Sequence, residues 1–183
     1  VVGMAHFRRM LNKAVEDLKA DRVMDGDEEI EDVSVELPVQ AYIPEHYIPE
    51  SNDKISAYQK LSSADTDDYL KEVRKELEED YGKMPQEVNN LFKIIELKIA
   101  AKKAGVLNIK SEVVPMSKDK EVVLTLSKRV KPANIVNLLE YNGSWKIVGT
   151  RLRINTKDLK KDWFSELKVC VERLAEAAKH GKR

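Results

Sequence analysis

Apolar residues recur at helical spacing between Ile55 and Ile99 and at alternate positions from about residue 109 to 126, with the change falling at Gly105. A chain that places its helices first and its hairpins afterwards lacks the strand–helix alternation that a doubly wound parallel sheet demands. The pattern therefore predicts an α+β fold. Ile55, Tyr58 and Leu61 mark a short helix, and Leu70, Val73, Leu77 and Tyr81 mark a second, with Asp65 or Thr66 as its N-cap and Gly82 as its stop. Pro85 opens a third, long helix. Val88, Leu91, Phe92, Ile95 and Ile99 form its stripe, Ile94 and Leu97 broaden it toward full burial, and Gly105 ends it after Lys102 and Lys103. Residues 109–114 and 121–126 flank a polar turn and read as one antiparallel hairpin; residues 145–148 and 151–154 flank Gly149-Thr150, a glycine-first turn, and read as another. A short helix over 132–140, carrying Ile135, Leu138 and Leu139, lies between the hairpins. Leu159, Trp163, Leu167, Cys170, Val171, Leu174 and Ala178 predict a C-terminal amphipathic helix over about 159–179.

Ahead of the helical group, Val33, Val35, Leu37, Val39, Ala41 and Ile43 alternate with polar or outward residues, which predicts a strand over 33–43. Pro38 has no N–H to give to a ladder, so this strand belongs at a sheet edge or breaks in the middle. It is followed by two near-copies of Tyr-Ile-Pro-Glu, in which Ile43 and Ile48 each precede a proline and are held extended, a stiff connector. Phe7, Leu11, Ala14 and Leu18 predict an earlier amphipathic helix over 4–20. Asp25, Asp27, Glu28, Glu29, Glu31, Asp32 and Glu36 follow it with no intervening base, and read as a self-repelling linker. These features put a module boundary near residue 30.

Hydrophobic residues are 42% of the 183, charged residues 35%, and glycine and proline together 13, which excludes collagen-like, disordered and low-complexity classes. No apolar run approaches the roughly 18–20 residues that cross a bilayer. The opening segment has neither an initiator Met nor a signal peptide's apolar block, so the chain reads as part of a longer protein. A single cysteine permits no internal disulfide and fits a reducing cytoplasm. The net charge of zero hides a division: residues 1–90 carry 11 bases and 22 acids, and residues 91–183 carry 21 and 10. An acidic surface facing a protein suits the first half, while the second half suits either a phosphate-tracking surface or neutralisation of the first on folding.

The residues that carry enzyme chemistry are not grouped. Seven glycines form neither a phosphate-cradling loop nor a dinucleotide fingerprint. His6, His46 and His180 stand in separate segments without a ligand partner one helical turn away, so no metal site is expected. Glu45, His46 and Glu50 are the one compact titratable group; they read as an acid/base pair or as an exposed connector solvated by its glutamates. Cys170 falls on an apolar helix face, as packing or as a nucleophile. Trp145 and Trp163 read as core anchors or base-stacking platforms. Lys128, Arg129, Lys131, Arg151, Arg153, Lys160 and Lys161 would track phosphates if they converge and otherwise form a solvated face.

Several motifs in order carry a family resemblance. SVELPVQAYIPEHYIP, then the Tyr-Gln-Lys-Leu helix over 55–61, then EVRKELEEDYGKMPQEVNNL are similar to the C-terminal domain of bacterial transcription-repair coupling factor (Mfd). The family's aromatic-Gly corner followed by Pro is matched here by Tyr81-Gly82-Lys83-Met84-Pro85. The resemblance covers about residues 33–178, and the opening helix resembles the tail that joins the family's motor to this domain. It implies that residues 1–30 are a helix and acidic linker from the end of the motor region, and that residues 31–183 are the regulatory domain. It further implies a non-catalytic module, without cofactor of its own, that docks on the N-terminal UvrB-like module, masks the surface used by UvrA and restrains an ATP- and Mg-dependent DNA translocase. Partners of the full-length protein would be RNA polymerase, UvrA and double-stranded DNA, in the cytoplasm and without a membrane. By match to the family's motif the docking residues are Glu76, Glu79 and Asp80, although Asp80 stands where the family pattern carries Arg, so that contact is either rearranged or reversed in sign. The competing reading of the residues themselves is a nucleic-acid-binding domain that uses the basic second half.

Overall fold

The computed structural model describes residues 33–180. Strand β1 (Ser34–Glu36) is followed by helices α1 (Ser51–Ser62), α2 (Asp67–Tyr81) and α3 (Gln86–Ala104). Then come β2 (Val106–Val113), β3 (Lys120–Leu126), α4 (Pro132–Tyr141), β4 (Lys146–Val148), β5 (Arg151–Asn155), a 3-10 turn (Thr156–Asp158) and α5 (Trp163–His180). This is the expected α+β order: an edge strand, a three-helix group, two antiparallel hairpins around a short helix, and a C-terminal helix. Among the described residues no helix is long and apolar enough to cross a membrane. The described residues divide into two compact units, 39–99 and 33–38 with 100–180. The expected boundary near residue 30, the helix over 4–20 and most of the acidic linker lie outside the described residues.

The first unit is a three-helix group with a buried connector. Leu70, Val73 and Leu77 of α2 are at most 6% exposed, and Thr66 caps that helix: its Oγ1 accepts from the Tyr69 N–H at 3.2 Å. Helix α3 buries Val88, Leu91, Phe92, Ile94, Ile95 and Leu97 around most of its circumference, as its broad stripe predicts. Arg74 lies 5.0 Å from the centre of the Phe92 ring and donates to Asn89 Oδ1 at 3.2 Å, so a charged side chain covers the aromatic without leaving solvent. Ile55 departs from expectation. It is 41% exposed, and Ala57 takes its place with Tyr58 and Leu61 in the buried face of α1.

The segment before α1 is also corrected. Only three of the eleven residues read as a strand enter a ladder; the rest keep alternate burial without strand partners, with Leu37, Ala41 and Ile43 inside. The Tyr42 N–H donates to the Glu87 carbonyl at 3.3 Å and the Ile43 N–H to the Tyr58 hydroxyl at 2.9 Å, so a loop and a side chain replace the missing strand. The connector is interior as well: Tyr47 and Ile48 are 6% and 0% exposed, and the N–H groups of both turn back to the Pro44 carbonyl.

The second unit holds a five-stranded sheet in the order β1-β2-β3-β5-β4. Strand β1 lies parallel to β2 at one edge, and every other pairing is antiparallel. One row of side chains, Val35, Ile109, Leu124, Leu152 and Ile147, crosses the sheet in register. The three central members of that row are fully buried, which fixes the register because a slip of one residue would exchange the faces. Helix α5 buries Leu167, Cys170, Val171 and Leu174. It starts at Trp163, four residues later than expected, because residues 156–158 form the 3-10 turn and Asp162 caps the following turn through its carboxylate. Helix α4 meets α5 through two side-chain amides one turn apart: Asn134 donates to the Leu174 carbonyl at 2.7 Å and Asn137 to the Arg173 carbonyl at 2.6 Å. Asn134 is 3% exposed and also accepts from the Lys131 N–H, so a buried polar group is satisfied at both ends.

Candidate docking site

Helix α2 and the corner that ends it place the three carboxylates singled out by the family motif. Glu76, Glu79 and Asp80 are all exposed on the final turns of the helix, opposite or flanking its buried stripe. At 3.6 residues per turn, Asp68, Glu72, Glu76 and Glu79 fall within roughly 80° of one another, a single acidic stripe. The family motif did not include Asp68 and Glu72, although their spacing of four would have found them.

The three residues differ in what already holds them. Glu76 is not free for a partner: its Oε1 accepts from Lys60 Nζ of α1 at 2.6 Å. That hydrogen bond holds the Lys60 ammonium above its ordinary value, with partial desolvation opposing it and Asp80 adding a smaller push. With side-chain exposures of 44% and 50% the pair is worth at most about 1 kcal/mol. Glu79 and Asp80 stand on the last turn of α2, where Glu78 is a third carboxylate and no base is present. The last turn of a helix carries the negative end of its dipole, so three acids there oppose the local electrostatics.

The corner beyond them is rigid for identifiable reasons. Gly82 takes φ +84 and ψ −162, a region open in practice only to glycine, and its N–H closes the helix on the Glu78 carbonyl at 2.9 Å. The Tyr47 hydroxyl lies 3.2 Å from the Leu77 carbonyl and 2.9 Å from that of Gly82, and donates its one proton between them. Its ring is 5.7 Å from that of Tyr81, tilted by 53°. Burial, then the neighbouring Glu78, pushes the Tyr47 phenol above its ordinary value, so it stays a donor throughout the physiological range. Tyr47→Phe should lower stability by about 1–2 kcal/mol in urea unfolding, since two carbonyls lose their shared donor.

The other candidates separate. Glu45, His46 and Glu50 are exposed on a connector whose apolar residues point inward. Among the described residues no group of His, Cys, Asp or Glu is placed to hold a metal ion. Cys170 is fully buried; burial pushes its thiol up to about 11, with the Trp145 indole opposing weakly, which leaves it a packing residue. The indole N–H makes no formed hydrogen bond. Trp145 is 3% exposed and unavailable for stacking. The seven basic residues do not converge as one set. Arg153 is held by Glu112 at 2.9 Å and Lys160 lies 3.8 Å from the buried Glu166, whereas the segments that carry Lys128, Arg129, Lys131 and Arg151 meet at one end of the sheet.

Comparison with known proteins agrees with this architecture. The transcription-repair-coupling factor of Borreliella burgdorferi is 33% identical over 111 residues, covering 61% of this chain and 10% of its own length. That of Staphylococcus haemolyticus is 28% identical over 178 residues, covering 93% and 14%. The chain thus spans only a small part of these relatives. A crystal structure of the C-terminal domain of transcription-repair coupling factor superposes with a TM-score of 0.69 at 23% identity, covering 83% of this chain and 96% of that one, and shares the fold. The TRCF domain model matches residues 37–135, more than half of the chain, from the buried connector through the first hairpin into α4. On that match the chain belongs to the TRCF domain family.

Proposed function

We propose that this chain is the non-catalytic regulatory module of a transcription-repair coupling translocase. In the resting protein its α2 carboxylates dock on a basic surface of the N-terminal UvrB-like module, which masks the surface used by UvrA and restrains the motor. ATP and Mg act in the motor upstream, and the full-length protein works with RNA polymerase, UvrA and double-stranded DNA in the cytoplasm. One observation carries the reading: Glu78, Glu79 and Asp80 crowd the negative end of α2 with no base among them. Local rules that a sequence breaks mark functional positions; Lys60 offsets Asp80 in part, and an arginine-bearing partner would supply the rest by pairing carboxylates bidentately.

Titrating the isolated domain with the separately purified N-terminal module, by calorimetry at two salt concentrations, tests this directly. Binding should weaken with salt, and Glu79→Lys should weaken it by about tenfold or more, as expected for partly buried interfacial charge pairs. No binding, or a folded Glu79→Lys variant within twofold of the parent, would overturn the assignment.

A further inference from the structure

Five exposed cations lie on segments that meet at one end of the sheet. The register sets the start of β2 beside the end of β3, with Val106 opposite Leu126, and the start of β5 beside it, with Thr125 opposite Arg151. Lys103 lies in the last turn of α3 just before β2; Lys128, Arg129 and Lys131 occupy the segment between β3 and α4; Arg151 opens β5. These segments are tied closely. The Ser127 N–H donates to the Gly105 carbonyl at 2.9 Å and the Leu126 N–H to the Thr150 carbonyl at 2.8 Å. All five side chains are exposed, and among the described residues none of them makes an ion pair.

The opposite end of the same sheet differs. There Glu112 is held by Lys110 at 3.2 Å and Arg153 at 2.9 Å, and Asp119 by Lys157 at 2.6 Å. These partners lower both carboxyls below their ordinary values, hydrogen bonds from Arg153 and Lys157 respectively being the largest cause. At the cationic end such partners are missing from the strands themselves: no Asp or Glu occurs within 97–111, 122–139 or 141–157. A helix dipole accounts for Lys103 alone.

We propose that this end of the sheet contacts the phosphate backbone of duplex DNA without regard to sequence. The cations border three neighbouring strands whose outer members lie roughly 10 Å apart, a span comparable with the ~12 Å width of a major groove. No aromatic residue occurs within 103–107, 126–133 or 148–152, so the segments that carry the cations offer no platform for stacking single-stranded bases. The exposed N-terminus of α4, of which Lys131 is the N-cap, adds partial positive charge at the same place. These residues are separate from the carboxylates of α2, so the two proposals fail independently.

Fluorescence anisotropy of the whole chain with a labelled duplex of roughly 25 base pairs tests it. Binding at low salt is expected, with log affinity falling against log salt at a slope of about −3 to −4, as for about four phosphates. The variant Lys128→Glu, Arg129→Glu, Arg151→Glu should bind at least about tenfold more weakly with an unchanged melting temperature, and the glutamine version of the same three changes should do so to a smaller degree. Lys157→Ala, at the paired end, should stay within twofold. Absence of binding at low salt, a folded triple variant that binds like the parent, or polyglutamate binding as tightly as the duplex would each overturn the proposal, the last by making the patch a dock for an acidic protein.

Discussion

Reversing Glu79 and Asp80 to lysine is expected to raise the stability of the isolated domain and, in the full-length protein, to raise UvrA affinity and basal ATPase by tenfold or more. The two effects have different origins. In the isolated domain, lysines at the last turn of α2 replace an unfavourable dipole interaction with a favourable one, each worth about 0.3–1 kcal/mol. Part of that gain is lost because Asp80 acts on the nearby Lys60 ammonium. A net gain of about 1 kcal/mol remains, roughly 2–4 °C in melting temperature for a domain of this size. In the full-length protein the same change sets like charges against each other across the docking surface, at a cost of about 1–5 kcal/mol to the closed state. Glu76 is left intact because its reversal would also break the pair with Lys60. A rise in both measurements separates docking from damage, since a misfolded variant would melt earlier. A stabilised variant with unchanged UvrA affinity and ATPase would show that these carboxylates are only a solvated helix end.

Gly105→Ala should destabilise the chain by about 2–4 kcal/mol, read as a lower urea midpoint at unchanged slope. The residue takes φ +82, where a β-carbon costs roughly 1–2 kcal/mol. That β-carbon would also lie 3.0 Å from Ser127 Oγ and 3.1 Å from Val130 Cγ2, in a junction closed by the Ser127 N–H to Gly105 carbonyl bond. Crowding of this kind adds about 1–3 kcal/mol, and the reduced freedom of the unfolded chain returns less than 1. Gly82 has a similar φ of +84 but nothing within 4 Å of its added β-carbon, so Gly82→Ala should cost only the conformational part, roughly 1–3 kcal/mol. A loss below 1 kcal/mol at Gly105 would mean that the loop carrying Ser127 and Val130 yields freely.

What the sequence carried was chiefly local. Leu70, Val73 and Leu77 announce α2, and the capping residue, the glycine stop and both hairpins follow from residues within a few positions of each other. The segment 33–43 misled because alternation records which side chains are buried, while a strand also requires a neighbouring backbone. Pro38 has no N–H, and those of Tyr42 and Ile43 find a loop carbonyl and the Tyr58 hydroxyl. The connector around Pro44 and Pro49 read as a stiff spacer because nothing near it in sequence shows that Tyr47 reaches the carbonyls of Leu77 and Gly82. The partners of the charged residues were equally hidden. Glu76 with Lys60, and Arg153 with Glu112, are 16 and 41 positions apart. The division of the described residues after Ile99 left no mark either, because α3 runs through it without a break in its apolar pattern.

The single parallel pairing in the sheet bears on the order of assembly. Strands β2, β3, β5 and β4 are joined by connections of no more than 24 residues, so their ladder can close as soon as residues 106–155 are present. Ser34 and Asn108, by contrast, are 74 positions apart, and three residue pairs are all that β1 contributes. Closing so long a loop costs entropy that a three-residue ladder recovers only when β2 is already held in place by β3. On the ribosome β1 therefore emerges first and docks late, after the hairpins that follow it have been synthesised. In the finished molecule it is the strand whose amides should exchange soonest with solvent, by a local opening that leaves the antiparallel ladder closed.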